Sequence, residues 1–298
     1  IGGLTAGTSY TFTVSNGTCT STASATVLVN AAVTKTWNGV NWVINPSATP
    51  VTPPKAYETA ILNGNYTVNA VTGNINTCSL IINSPAVLTI TDQFFVTIQN
   101  NLTVNAGATL DVANQGSLIM ISDTGIVTNN GTTKINKTTS QFKLYDYTYW
   151  SSPIVSTVIA TTFPKWTTDR AYAFHPENFN DANDDGFDDN GDDYLFTSSM
   201  DPGRGYIIMG PTSGVFPRKE SVAFTGKVNN GVVNTPMNLT PGAIVGDNFN
   251  LVGNPYPSAI AADELIKANI SGTGTINKTI DGTLYFWTHN MSIGAGAN

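Results

Sequence analysis

Charged side chains are scarce in this sequence. They make up 11% of 298 residues, less than half of the ~25% usual in globular chains. Basic residues number 13 and never cluster, which excludes a phosphate-binding patch for nucleic acid and a polybasic face for an anionic membrane. No apolar run approaches the ~18 residues of a membrane-spanning helix, so direct insertion is not expected. Two cysteines, Cys19 and Cys78, are too few for a disulfide scaffold. They read as buried thiols, with pairing of Cys19 outside the chain as the alternative. The only histidines are His175 and His289. Neither lies in a nucleophile or zinc motif, and no Gly-x-Ser-x-Gly or His-Glu-x-x-His occurs. No leader is present, and the chain reads as an internal piece of a longer protein, so missing targeting signals carry no weight.

What is present is β-branched and turn-forming: Thr, Val, Asn, Ser and Gly over a 41% hydrophobic background. That mixture suits short strands joined by many turns, and the fold class expected is all-β. Three regions follow. In 1–33, Tyr10, Phe12 and Val14 alternate, Asn16-Gly17 turns the chain, and Ala23, Ala25, Val27 and Val29 resume, which predicts a hairpin. The phrase Leu4-x-x-Gly7-Thr8-x-Tyr10 resembles the end of a fibronectin type III domain, with Tyr10 as its corner tyrosine.

In 34–140, apolar pairs spaced by one residue start at Leu80, Leu88, Val96, Leu102, Leu110 and Leu118, with a last start at Ile126. Three successive steps sum to 22 or 24 residues. Looking back 22 from Leu88 finds Tyr66 and Val68. Strands this short bury a face only by stacking. The near-constant sum predicts a triangular parallel β-helix of three or four coils, against an antiparallel meander. Gly107, Gly116 and Gly125 with Asn100, Asn101, Asn114 and Asn129 fall at its corners. The stretch Thr36 to Trp42 is the expected N-terminal cap.

In 141–298, aromatic residues rise and strand-like runs appear at Gly205–Met209, Ser221–Phe224 and Thr283–Trp287. One helix is expected over Ile260–Lys267, with Ser258 as a possible N-cap. The reading is an antiparallel β-sandwich or jelly-roll with one short helix.

Inside this last region, Asn180–Asp193 holds seven aspartates. Setting them aside leaves 13 acidic against 13 basic residues, so the net charge of −7 belongs to this segment. Aligned to a twelve-position calcium loop, Asp181, Asn183, Asp185, Asp189 and Asp192 supply side-chain oxygens. Phe187 supplies its carbonyl, and Gly186 makes the sharp turn. The all-oxygen set suits Ca²⁺ rather than zinc. The alternatives are a solvated acidic turn and a disordered linker. Position 12 is Asp rather than Glu, and the loop resembles those of thrombospondin type 3 and dockerin-like repeats more than a helical EF-hand. Asp184, Asp188 and Asp193 are left over, for a second ion or for water.

β-Helices include polysaccharide-cleaving enzymes, so carboxylates there matter. Asp111 points outward, Asp92 and Asp123 fall at corners, and no acid–base pair forms on one face. No enzyme is expected. Arg204 reads as part of a turn. Trp37, Trp42, Trp150 and Trp166 read as core rather than as sugar-stacking rings.

Five phrases occur together in order: Tyr145–Pro153, Pro202–Tyr206, Phe224-Thr225-Gly226, Asn250–Ile260 and Gly282–Thr288. As a set they resemble large secreted surface proteins of Bacteroidota, such as those of Flavobacterium, exported by the type IX secretion system. The resemblance implies a non-catalytic, extracellular, cell-surface adhesin segment serving attachment or gliding motility. The implied partners are surface glycans, other outer-membrane components and the export machinery. The alternative is a carbohydrate-binding accessory region of a secreted polysaccharide hydrolase. The sorting domain of that family is not among these residues.

Overall fold

The computed structural model describes residues 4–29, 31–183, 188–238, 248–270, 280 and 282–286. The protein is all-β, built on a β-solenoid of about five turns rather than the three or four coils expected.

Strand β1 (Ser9–Tyr10) pairs antiparallel with β2 (Val27–Leu28). The solenoid opens with β3 (Thr34–Trp37), whose sheet is extended by the antiparallel strands β4 (Trp42–Val43) and β5 (Pro50–Val51). Three complete turns follow. The first is β6 (Thr59–Leu62), β7 (Tyr66–Val68) and β8 (Ile75–Thr77). The second is β9 (Leu80–Ile82), β10 (Val87–Ile90) and β11 (Phe95–Ile98). The third is β12 (Leu102–Val104), β13 (Thr109–Val112) and β14 (Ser117–Met120). Then β15 (Val127–Asn129) and β16 (Thr132–Thr138) close the stack. Every solenoid strand pairs in parallel with its counterpart one turn away, so Leu88 sits between Tyr66 and Leu110. Inward residues such as Leu80, Ile82, Leu88, Ile90 and Leu110 are fully buried. Each contributes about 1.5–3 kcal/mol of transfer free energy.

The period hides two turns for identifiable reasons. β3 is a solenoid rung as well as part of the N-terminal cap, because it pairs in parallel with β6; the β4–β5 excursion separates the two in sequence. In β8 the second inward position is Thr77, fully buried. Its hydroxyl donates to the Glu58 and Ser79 carbonyls at 2.6 and 2.9 Å, which satisfies the polar group there. At β15 the inward residue is Val127, while Ile126 is 63% exposed. Val127 lies 25 residues after its partner Leu102, where Leu102 lies 22 after Leu80, and an odd shift turns every side chain over.

Corners solve a backbone problem. An N–H at a bend has lost its ladder partner, and an Asn or Asp of the preceding turn accepts from it. Val87 donates to Asn65 (2.9 Å), Phe95 to Asn74 (2.9 Å), Gln115 to Asp92 (2.7 Å), Ile126 to Asn101 (2.8 Å) and Thr138 to Asn114 (2.8 Å). On one edge Asn105 donates its amide to Asn83 (2.7 Å) and Asn83 to Asn63 (2.8 Å), an amide ladder across three turns.

The two ends are closed differently. At the N-terminal end, Trp37, Trp42 and Tyr66 stack edge-on or tilted, with centroids 4.9–5.8 Å apart. A buried Lys35–Glu58 ion pair (2.9 Å) is completed by Thr52 and the Pro53 carbonyl. At the other end lies the C-terminal region: β17 (Tyr147–Trp150), β18 (Thr157–Val158), the helical turn α1 (Ile159–Thr162), β19 (Thr167–Phe174), β20 (Tyr194–Phe196), β21 (Ser199–Met200), β22 (Tyr206–Met209), β23 (Ser221–Thr225) and helix α2 (Ala262–Ile270). β23 adds antiparallel to β16, Leu118 donates to the Pro257 carbonyl (2.9 Å), and the Asn230 amide donates to Ser122 and Gly125 carbonyls (2.9 and 2.8 Å). Trp150, Phe163, Trp166 and Phe224 pack under this lid, in one buried cluster with the solenoid interior.

Several local expectations are corrected. Helix α2 starts at Ala262, so Ser258 lies outside it, and α1 is a second helical element. Residues 283–286 are irregular, with Tyr285 and Phe286 well exposed; Trp287 lies outside the described residues. Cys19 is exposed rather than buried, and Cys78 is half-buried with its sulfur accepting from Asn100.

Candidate functional site

The aspartate-rich segment joins β19 to β20, two paired strands of the antiparallel sheet β17-β22-β19-β20. Its base is fixed by Asp189 N–H donating to the Asn180 carbonyl (2.7 Å) and His175 N–H donating to the Asp193 carbonyl (2.6 Å). Asn178 adds a bond to the Asp192 carbonyl (3.0 Å). The Asp189 carboxylate accepts from Ala182 N–H (2.8 Å) and the Asn183 amide (3.0 Å). Two of the expected ligands, Asn183 and Asp189, are thus in contact.

Asp188, set aside from the ligand set by spacing, organises the loop. Its carboxylate accepts from the N–H groups of Asn180 (2.8 Å), Asp192 (3.1 Å) and Gly191. The sequence carries the signal for this, since an Asp shortly before Asn-Gly bonds the backbone of the turn that follows. Asp181 and Asp192 lie in the described part of the loop. Asp184, Asp185, Gly186 and Phe187 lie outside the described residues. Among the described residues, no three His, Cys, Asp or Glu side chains converge as a metal-binding group. Burial, and next the neighbouring Asp188, push the Asp193 carboxyl above the usual carboxylate range.

His175 bonds Glu177 through Nδ1 (3.0 Å), and this bond, more than any charge, holds the Glu177 carboxyl below its ordinary value. His289 lies outside the described residues. Arg204 reaches the Phe174 carbonyl (2.7 Å) and so ties its turn to β19. Asp92 and Asp111 are engaged by Gln115 N–H and the Asn136 amide (2.7 and 2.6 Å). Trp150 is buried and donates its indole N–H to Thr148 (2.7 Å).

The sheet that carries the loop has two unlike faces. Trp150, Ala171, Ala173, Tyr206 and Ile208 turn inward and are buried. The opposite face carries Tyr149, Ile207, Tyr172 and Phe196 directly across from one another. Tyr147, Phe174 and Tyr194 stand beside that row, with Tyr147–Tyr172 centroids 6.1 Å apart and Phe174–Tyr194 centroids 5.1 Å apart. An outward face of a one-sided sheet is ordinarily polar, and in the sequence these aromatics show only as a local rise in aromatic content. The pairing register is what gathers them.

Three of the phrases, Tyr145–Pro153, Pro202–Tyr206 and Asn250–Ile260, meet. Ser151 donates its hydroxyl to the Asn254 carbonyl (2.7 Å), Gly253 N–H to Gly203 (3.0 Å) and Gly205 N–H to Leu251 (3.0 Å). The Asn229 amide ties Ser152 to Pro255 (3.2 and 2.8 Å). These bonds tie the C-terminal region together, and two of the phrases reach the solenoid, through the Pro257 carbonyl and through β23 on β16.

Stacked turns, sealed at one end by an aromatic cluster and at the other by a β-rich lid, define a capped β-solenoid protein. The chain belongs to a family described as a domain of unknown function, DUF8693, which matches residues 7–297. No curated protein and no solved structure matches it. No helix among the described residues is long and apolar enough to cross a membrane.

Proposed function

We propose that the chain is a non-catalytic, extracellular segment of a large cell-surface adhesin, exported by the type IX secretion system and serving attachment or gliding motility. The observation that carries this is the capped solenoid. Its ends are closed by tryptophans and by the lid, and the lid displays an aromatic face outward. Residues 34–140 act as spacer and 141–298 as a β-sandwich-like presenting module. Residues 1–33 are the end of a fibronectin type III domain, supported by the Tyr10 hydroxyl accepting from Thr5 N–H (2.9 Å), as a corner tyrosine bonds the backbone upstream. The expected partners are surface glycans and outer-membrane components. Antibodies against the chain should label intact, unpermeabilised cells and reduce their attachment. Labelling only after permeabilisation would sink the proposal.

In this reading the aspartate loop holds Ca²⁺, through Asp181, Asn183, Asp185, Asp189, Asp192 and the Phe187 carbonyl. Its support is the ligand spacing, together with the contact between Asn183 and Asp189. The ion would neutralise crowded carboxylates and fix the turn between β19 and β20. Calorimetric titration should give a dissociation constant of about 0.1–1 mM, the range of extracellular modules, and the heat should vanish in Asp189→Ala. No heat at millimolar calcium excludes the ion.

The second reading, a carbohydrate-binding accessory region of a secreted polysaccharide hydrolase, is favoured by the outward aromatic face.

A further inference from the structure

The row Tyr149–Ile207–Tyr172–Phe196 crosses four strands, a width of about 14 Å at about 4.8 Å per strand spacing. Its rings are held in place. The Tyr147 and Tyr172 rings pack with centroids 6.1 Å apart and those of Phe174 and Tyr194 5.1 Å apart, and Tyr147 and Tyr172 raise the neighbouring Arg170 guanidinium above its ordinary value. Tyr149 also stands in the wall of a groove of about 310 Å³ between the sheet and the last turn of the solenoid, with Lys137, Ser140, Trp150 and Tyr256 among the residues that line it. That is within the lower range of ligand sites.

Lys137 gives the groove its character. Its ammonium donates to the Asn114 carbonyl (3.1 Å), and an ammonium has three donors. Burial disfavours its charge and only the field of Asp92 opposes that. A half-buried cation of this kind is stabilised by an anion brought to it. Arg170 puts a second cation beside the same aromatic row. The aspartates lie at the far edge, ahead of β20, so they repel a polyanion from that side and favour its approach along the lysine side.

We infer that the groove and the aromatic row bind a linear acidic polysaccharide, with a uronate carboxylate on Lys137 and pyranose rings stacked on Tyr149 and Tyr172. Three features of such a polymer fit three features of the surface. The C–H faces of its rings suit flat aromatic rings, its hydroxyls suit Ser140, and its carboxylates suit the lysine and arginine. The inference rests on the glycan-binding reading above and gives it a site and a ligand class.

The test is affinity electrophoresis of the full chain in gels containing polygalacturonate, and in gels containing the same polymer with its carboxylates reduced to alcohols. Retardation is expected in the first gel and at least tenfold weaker in the second. Lys137→Gln should abolish the difference between gels, Tyr149→Ala should weaken both at least tenfold, and Tyr149→Phe should keep binding. Melting temperatures serve as the check on folding. Equal retardation in the two gels, none in either, or undiminished binding by Lys137→Gln and Tyr149→Ala overturns the proposal. So does a sedimenting dimer that Phe196→Ser dissolves, since the face would then pair two copies of the chain. If antibodies block attachment while no polymer is bound, the groove assignment fails and the adhesin reading stands. Retardation without surface labelling overturns the adhesin reading alone.

Discussion

Phe224→Ala is expected to destabilise the whole protein by about 3–5 kcal/mol, the usual cost of truncating a fully buried phenylalanine. The ring is completely buried, 5.8 Å from Phe163 and 6.1 Å from Trp150, on the strand that adds to β16. It belongs to the lid and to the solenoid at once. In a background where Trp37, Trp42 and Trp287 are changed to Phe, chemical denaturation followed by tryptophan fluorescence should report Trp150 and Trp166, while far-ultraviolet circular dichroism is dominated by the solenoid strands. Because the buried cluster is continuous, both signals should move to lower denaturant together. If the fluorescence transition shifts and the dichroism transition stays, lid and solenoid are separate folding units and the single-core description is wrong.

Gly125→Ala is expected to cost about 3 kcal/mol or more, at the upper end of overpacking penalties. A methyl group there would run into the Asn100 carbonyl oxygen, with the Asn100 carbon and the Ser122 oxygen each at 3.0 Å. All are backbone atoms of stacked corners, so no side chain can swing aside. The comparison is Gly73→Ala, where nothing lies within 4 Å but φ is +71°; only the left-handed backbone is penalised, by about 1–2 kcal/mol. Thermal melts of the two variants should rank in that order. Equal losses would mean that corner packing is looser than the stacking implies.

The solenoid was legible where the one-residue alternation repeats at a fixed interval, from Leu80 to Met120. It faded where a buried Thr77 stands in an apolar slot and where the β4–β5 excursion lengthens a turn. At Ile126 the alternation pointed to the wrong face, because that turn runs 25 residues from Leu102 to Val127 where the one before runs 22 from Leu80 to Leu102. The lid was legible only as strand-rich sequence. Its outward aromatic row depends on which strands become neighbours, and β22 lies between β17 and β19 against chain order, a non-local outcome that periodicity does not carry. In the aspartate segment, ligand spacing was readable from residue identity. The part played by Asp188 was not, since it comes from three backbone N–H groups turning toward one carboxylate.

The amide ladder Asn63–Asn83–Asn105 and most of the asparagine corner bonds have a further consequence for the medium in which the stack works. They are made between neutral groups, so they have no proton to lose or gain and no ionic atmosphere to screen. Among the solenoid's side chains the buried Lys35–Glu58 pair is the main exception, and its burial shields it from dissolved ions. The side-chain bonds that hold the solenoid's corners therefore stay nearly unchanged as acidity and salinity change. Environmental response is left to the carboxylate-rich loop and the lysine groove at the far end.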